Sequence, residues 1–237
     1  ALQSFPRIPY TEAVQYIKGL KDLDGRNAIK LMEDDLATVN QTIEELTADI
    51  ARREEEISKP GLKAGVINFN KEKIRAAKEQ LSDLEEQARN IPQWIKSAVN
   101  FDDGNDFGGS DETVLTRLFT TPIMVYNWPK LVKAFYMKED PNDLGFVRGV
   151  DVLAPEGYGE IVGGGQRETD IQTLIDAIHH HELPMEAFEW YLDLRRFGSV
   201  PHSGFGIGLE RIICYICKLP NVREAIPFPR MVGRILP

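Results

Sequence analysis

The stretch HSGFGIGLERIICYICKL, residues 202–219, decides the fold. Gly204, Gly206 and Gly208 alternate with Phe205, Ile207 and Leu209, the period-2 pattern of a strand with one face stripped of side chains. Glu210 and Arg211 then open an apolar run with helical spacing. A bare strand face lets a flat group lie against the backbone, and a guanidinium beside it can pair with phosphate or stack on a ring. The spacing is G-x-G-x-G without a surrounding βαβ unit, which argues against a dinucleotide fold. On spacing alone the segment reads equally as a tightly packed strand–helix junction.

Working outward, DVLAPEGYGEIVGGGQRE (151–168) carries a second cluster. Asp151 and Glu160 stand at the end of one strand and the start of the next, so a hairpin would bring together two carboxylates, hard oxygen ligands suited to Mg²⁺. Arg167 follows Glu160 at an odd spacing, which puts the two on opposite faces unless a bulge intervenes; the triplet Gly163, Gly164, Gly165 is where a bulge is expected. An ordinary charged surface hairpin is the competing reading. Farther upstream PIMVYNW, KAFYM, FVRGVDVLA and GEIVGG read as strands, and helices are predicted near 170–182 and 185–196. Residues 101–112, FDDGNDFGGSDE, read as a loop.

Between these strands and the amino-terminal segment lies a different pattern. Ile29, Met32, Leu36, Val39, Ile43, Leu46, Ile50 and Ile57 follow a 3-4 alternation interrupted where Arg53 takes a seam position. After KPGLKAGVINFN the spacing resumes at Ile74, Ala77, Leu81, Leu84, Ala88, Ile91 and Ile95, with Pro92 expected to kink or stop the helix. Residues 26–98 therefore read as an inserted antiparallel coiled-coil hairpin, with 12 basic and 14 acidic side chains between Arg26 and Lys96 solvating its outer faces. An arm that grips or docks a partner is the alternative. Thr11 is the expected N-cap of a short helix in residues 1–25. Residues 1–25 and 99–237 together are expected to form one α+β domain, an antiparallel sheet flanked by helices, interrupted by the hairpin, whose removal over 27–97 should leave that domain folded.

The 237 residues are 42% hydrophobic and 27% charged, a globular mix, with a net charge of −9 that argues against charge-driven nucleic-acid binding. No apolar run approaches the ~20 residues of a membrane span, and no secretory pattern opens the chain. Two cysteines, Cys214 and Cys217, supply no disulfide framework and read as small hydrophobes on a buried helix face. The consecutive His179, His180 and His181 point in different directions around a helix end and make no metal site. A cytoplasmic location follows as the expectation.

The string GFGIGLERIICYICKLPNVREAIPFPR (204–230) resembles the third signature motif of class II aminoacyl-tRNA synthetases in the form used by the aspartyl/asparaginyl branch. WYLDLRRFGSVPHSGFG (190–206) looks like the asparaginyl version, because aspartyl enzymes usually carry Gly where Ser203 stands and lack DLRR. PKLVKAFYM (129–137) and residues 151–168 are similar to the same enzymes, so the resemblance covers residues 5–20 and about 106–237. It implies asparagine–tRNA ligase chemistry, with ATP and Mg²⁺, asparagine and tRNA as partners, and a homodimer in the full-length enzyme. Glu160 with Asp151 would hold Mg²⁺ on ATP, Arg211 would contact ATP, and Gly204, Gly206 and Gly208 would floor the adenine site. Arg167, with His202 and Ser203, would meet the amino acid. The 151–160 loop looks a residue longer than the usual bacterial form, which weakens Asp151 as a ligand. The family's first two motifs and its anticodon-binding barrel have no counterpart here, while PFPRMVGRILP resembles a natural carboxyl terminus. The chain is therefore expected to be the C-terminal half of a catalytic core that is inactive and poorly soluble without the other half. An aspartyl-tRNA synthetase, a tRNA-independent asparagine synthetase and a non-catalytic synthetase-like subunit remain open.

Overall fold

The computed structural model describes residues 4–233, so the last part of PFPRMVGRILP, 234–237, lies outside the described residues. Among these residues five strands form one sheet in sequence order: β1 Arg7–Pro9, β2 Ile123–Pro129, β3 Phe146–Ala154, β4 Gly159–Gln166 and β5 Ser203–Ile207. β2 to β5 run antiparallel, as expected, but β1 pairs parallel with β2, Ile8 lying opposite Val125, so the sheet is mixed. A parallel pair needs a long crossover, and the helical excursion between β1 and β2 provides it.

Among the described residues seven α-helices accompany the sheet: α1 Tyr10–Ile17, α2 Ala28–Ser58, α3 Ala64–Val99, α4 Gly109–Thr116, α5 Ile171–His180, α6 Glu189–Arg196 and α7 Leu209–Cys217. Strand alternation decides which helix covers which face. Val147 and Leu153 of β3, with Ile123 and Val125 of β2, are buried under α1, α4 and the near end of α2 and α3 in the main core. Val152, Ala154 and Ile161 point the other way and meet Ile212 and Tyr215 of α7. A third cluster, Leu174, Ile178 and Leu192, joins α5 to α6 over Phe135 and Tyr136.

Several local expectations are corrected. Pro9, not Thr11, stands at the N-cap of α1, because the Tyr10 ring is drawn into the core against Phe107 and Trp128. α3 runs through Pro92 to Val99: Ile91 and Ala98, on either side of the missing donor, are both anchored in the core. The KAFYM segment forms no strand; a 3-10 turn at Lys130–Val132 precedes it and a single bridge joins Met137 to Arg167. The expected loop at 101–112 ends in a helix, α4, whose Asp111 carboxylate accepts the Gly108 N–H at 2.9 Å. Cys214 is buried, but Cys217 is exposed on the solvent side of α7.

α2 and α3 form an antiparallel helical hairpin with two distinct stretches. Toward the tip, Ile50, Ile74 and Ala77 pack on one another with Leu46, Ile57 and Leu81. At the root, Ala28, Met32, Val39, Ile91 and Ala98 belong to the main core, so a cut at 27–97 removes core side chains as well as the arm.

Candidate functional site

The register of the sheet assembles the site. Val152 lies opposite Val162 and Leu153 opposite Glu160, so Ile161 is the extra residue of a β-bulge. That bulge puts Glu160 and Arg167 on one face, and it sits ahead of the glycine triplet rather than within it. The triplet has other work. Gly163 faces Asp151 across the ladder, and a side chain there would occupy the space where the Asp151 and Glu160 carboxylates converge. A Cβ on Gly164 would lie 2.7 Å from that of Phe205, and one on Gly165 2.9 Å from the Met137 sulfur.

β5 extends this face. Gly206 pairs with Gly163 and has open space above it, whereas a Cβ on Gly204 would lie 2.9 Å from Nη2 of Arg167. A Cβ on Gly208 would make only ordinary contact with the stem of Arg211, so of the three alternating glycines Gly206 forms bare floor and Gly204 makes room for an arginine. Arg211 Nη1 donates to the Glu160 carbonyl at 2.7 Å, and Glu160, Gly163, Gly206, Gly208 and Arg211 line a cleft of about 390 Å³.

Arg167 rests its guanidinium on Tyr136, 4.8 Å from the ring centre, and donates its backbone N–H to the His202 carbonyl at 2.9 Å. His202 thus reaches the site through its backbone, while its ring Nδ1 sits 2.8 Å from the Val200 carbonyl. Ser203 pairs with Gln166 and faces the opposite side of the sheet from Gly204 and Arg167; the structure does not bring it to this cluster. The buried Arg195 of the DLRR segment donates to the Glu168 carbonyl at 3.1 and 3.2 Å and stacks on Tyr191, bracing the strand end that presents Arg167.

Two charged residues of the site escaped sequence reasoning. Lys133 donates to Asp151 Oδ2 at 2.7 Å and lies 3.8 Å over the Trp128 ring. Burial pushes the Asp151 carboxyl up to about 6 although Lys133 pulls it down. For Lys133 itself, burial lowers the ammonium's pKa, but Asp151 and Asp106 outweigh it and leave it raised. Glu112 of α4 accepts the Glu160 N–H at 3.1 Å; burial, then Glu160 and Asp151, push its carboxyl up to about 7 against the pull of that N–H and of Arg211. Lys133 sits in a segment read as a strand and Glu112 in one read as a loop. The signal for Glu112 was Asp111 three residues after Gly108, a helix start.

The donor set over Gly163, carboxylate oxygens from Asp151 and Glu160 with no intervening side chain, suits a hard divalent cation, with Asp151 Oδ2 already committed to Lys133. A larger groove of about 670 Å³ at the hairpin root is lined by Met32, Ile91 and Trp94, but its Asp35 and Arg117 satisfy each other at 2.5 and 2.8 Å. Among the described residues no helix is long and apolar enough to cross a membrane.

The family model for tRNA synthetases class II (D, K and N) matches residues 1–232. The asparagine–tRNA ligase of Sorangium cellulosum is 60% identical over 134 residues, 56% of this chain and 30% of that protein. That of Thermococcus kodakarensis is 43% identical over 207 residues, 86% of this chain and 47% of that protein. The asparaginyl-tRNA synthetase of Pyrococcus horikoshii in complex with asparaginyl-adenylate superposes with a TM-score of 0.58 at 44% identity, covering 73% of this chain and 42% of that one. The aspartyl enzyme of Entamoeba histolytica superposes with a TM-score of 0.55 at 26% identity. The chain spans between about a third and a half of the length of these relatives. A mixed sheet with a glycine-lined face, a motif running from strand to arginine-bearing helix, and a family match over nearly the whole sequence agree: the chain belongs to the class II tRNA synthetases of the D, K and N group.

Proposed function

We propose that this chain is the carboxyl-terminal part of the catalytic core of an asparagine–tRNA ligase, which activates asparagine with ATP and transfers it to tRNA. The supporting observation is that one face of β3–β5 gathers Asp151, Glu160, Arg167 and bare Gly206, with Arg211 at its end. Those groups match the needs of the reaction, in which the asparagine carboxylate attacks the α-phosphorus of ATP. Arg211 binds the triphosphate and the adenine face above Gly206. Its guanidinium is already oriented by the Glu160 carbonyl, so little reorganisation is needed as charge shifts along the phosphates. Glu160, with Asp151, would hold Mg²⁺, which would neutralise phosphate charge when bound. Arg167, propped by Tyr136, donates to the side-chain amide oxygen of asparagine, and the His202 backbone sets the height of that arginine.

The same reading makes the working enzyme a cytoplasmic homodimer, with the hairpin over 26–98 an insert into its core. It also makes the 237 residues, which span about a third to a half of the relatives' length, inactive on their own. The test is ATP–pyrophosphate exchange by the enzyme that contains this chain, with asparagine and aspartate in parallel. Asparagine-dependent exchange is expected, and Arg167→Ala should raise the KM for asparagine far more than that for ATP. Exchange with aspartate alone would overturn the assignment, and equal effects on both KM values would remove Arg167 from the amino-acid subsite.

A further inference from the structure

We infer that Glu112 is a positioning residue for the nucleotide site: its carboxylate sets the backbone from which Glu160 projects. This rests on the functional reading above and deepens it. Residue 160 sits at the start of the bulge, where its N–H goes to a side chain, Glu112 Oε2 at 3.1 Å. Its carbonyl is taken from the other side by Arg211 at 2.7 Å. Two hydrogen bonds on the two flanks of one Cα fix the direction of its Cα–Cβ bond, and so fix where the Glu160 carboxylate arrives over Gly163. Neither bond comes from the sheet; each is supplied by a helix, α4 or α7.

The surroundings show a place kept for this carboxylate. Gly159 has φ of +69°, and a side chain there would collide with Glu112 Oε2. Glu112 and Arg211 line the same cavity of about 300 Å³ beneath the β3–β4 turn, so the carboxylate also faces the arginine it works alongside. A half-buried carboxylate beside two others is a poor way to stabilise a fold, since the like charges repel and burial disfavours ionisation. What it provides is reach: from α4, a side chain of glutamate length arrives at the Glu160 N–H.

Reach and charge can be separated by two conservative variants, Glu112→Asp, which keeps the charge and loses one methylene, and Glu112→Gln, which keeps length and acceptor and loses the charge. In asparagine-dependent exchange, Glu112→Asp should raise the KM for MgATP about tenfold, the scale of one lost hydrogen bond, and leave the KM for asparagine within about twofold. Glu112→Gln should stay within about threefold of the parent on both. Melting temperatures of the two variants report whether either has simply lost its fold. The inference is overturned if Glu112→Asp leaves the KM for MgATP unchanged or shifts both substrates equally. It is also overturned if Glu112→Gln is the damaged variant, which would make the carboxylate a charge-bearing ligand rather than a positioning group. Absence of asparagine-dependent exchange in the unsubstituted enzyme would instead count against the functional reading itself.

Discussion

At the tip of the hairpin Ile50, Ile74 and Ala77 are buried by one another, while on the outer strand of the sheet Phe205 and Ile207 stand 71% and 54% exposed and the packed groups are glycines and charges. The hairpin spends its apolar side chains on holding itself together. On the platform Phe205 and Ile207 share the face of Ser203, turned from the cleft, while the ordered glycine and charge contacts gather around the cleft itself, an arrangement suited to binding rather than to stability. Substitutions in the two regions should therefore be felt differently, as lost stability in one and lost function in the other.

The largest separation is expected from Arg211→Ala and Glu160→Ala. Each should lower the activation rate of the complete enzyme by about 10²–10³, the usual worth of one preorganised charge, with little change in melting temperature. A variant that melts early would place these residues with the structural region after all.

The hairpin itself divides at its root. Ile91→Ala, in the main core, should cost about 2–5 kcal/mol in denaturant unfolding. Replacing residues 45–82 by a short glycine link, which removes the tip cluster and keeps the root, should leave exchange nearly unchanged. Loss of the sheet on that deletion would mean that the tip and the core fold as one unit.

The smallest effect is a pH dependence confined to the core. Burial pushes the Tyr10 phenol from 10.0 up to about 12, and its hydroxyl donates to the Asn105 carbonyl at 2.7 Å. A phenol whose folded pKa is raised contributes its full stability below pH 10 and loses it as pH climbs toward 12. Because the hairpin helices contain no tyrosine, near-ultraviolet signals of the core should decay over that window before helicity at the tip does. Tyr10→Phe should cost about 1 kcal/mol at neutral pH and flatten the alkaline limb. An unchanged limb would show that another group governs it.

Much of this comparison was legible in the residues. The heptads from Ile29 onward and the alternation of Gly204, Gly206 and Gly208 each mark an element by its period alone. Pro92 was misleading because the cost of a missing donor is local, whereas the burial of Ile91 and Ala98 that offsets it comes from contacts far along the chain. Lys133 was hidden for a similar reason: a lysine in an apolar run looks solvated until Asp151 and Trp128 are seen to surround it.

By itself, the sequence determined the two long helices, the glycine strand with the helix that follows it, and which residue types could handle a nucleotide, while it misread KAFYM as a strand and missed the start of α4. Those properties depend on neighbours a few positions apart. Tertiary structure decided that β1 joins the sheet parallel, that the bulge falls at Ile161 so that Glu160 and Arg167 share a face, that Ser203 turns away, and that Glu112 meets Glu160. A one-residue shift in register inverts every side chain of a strand, and the contact that selects between registers lies across the sheet or on another helix, where no local pattern records it.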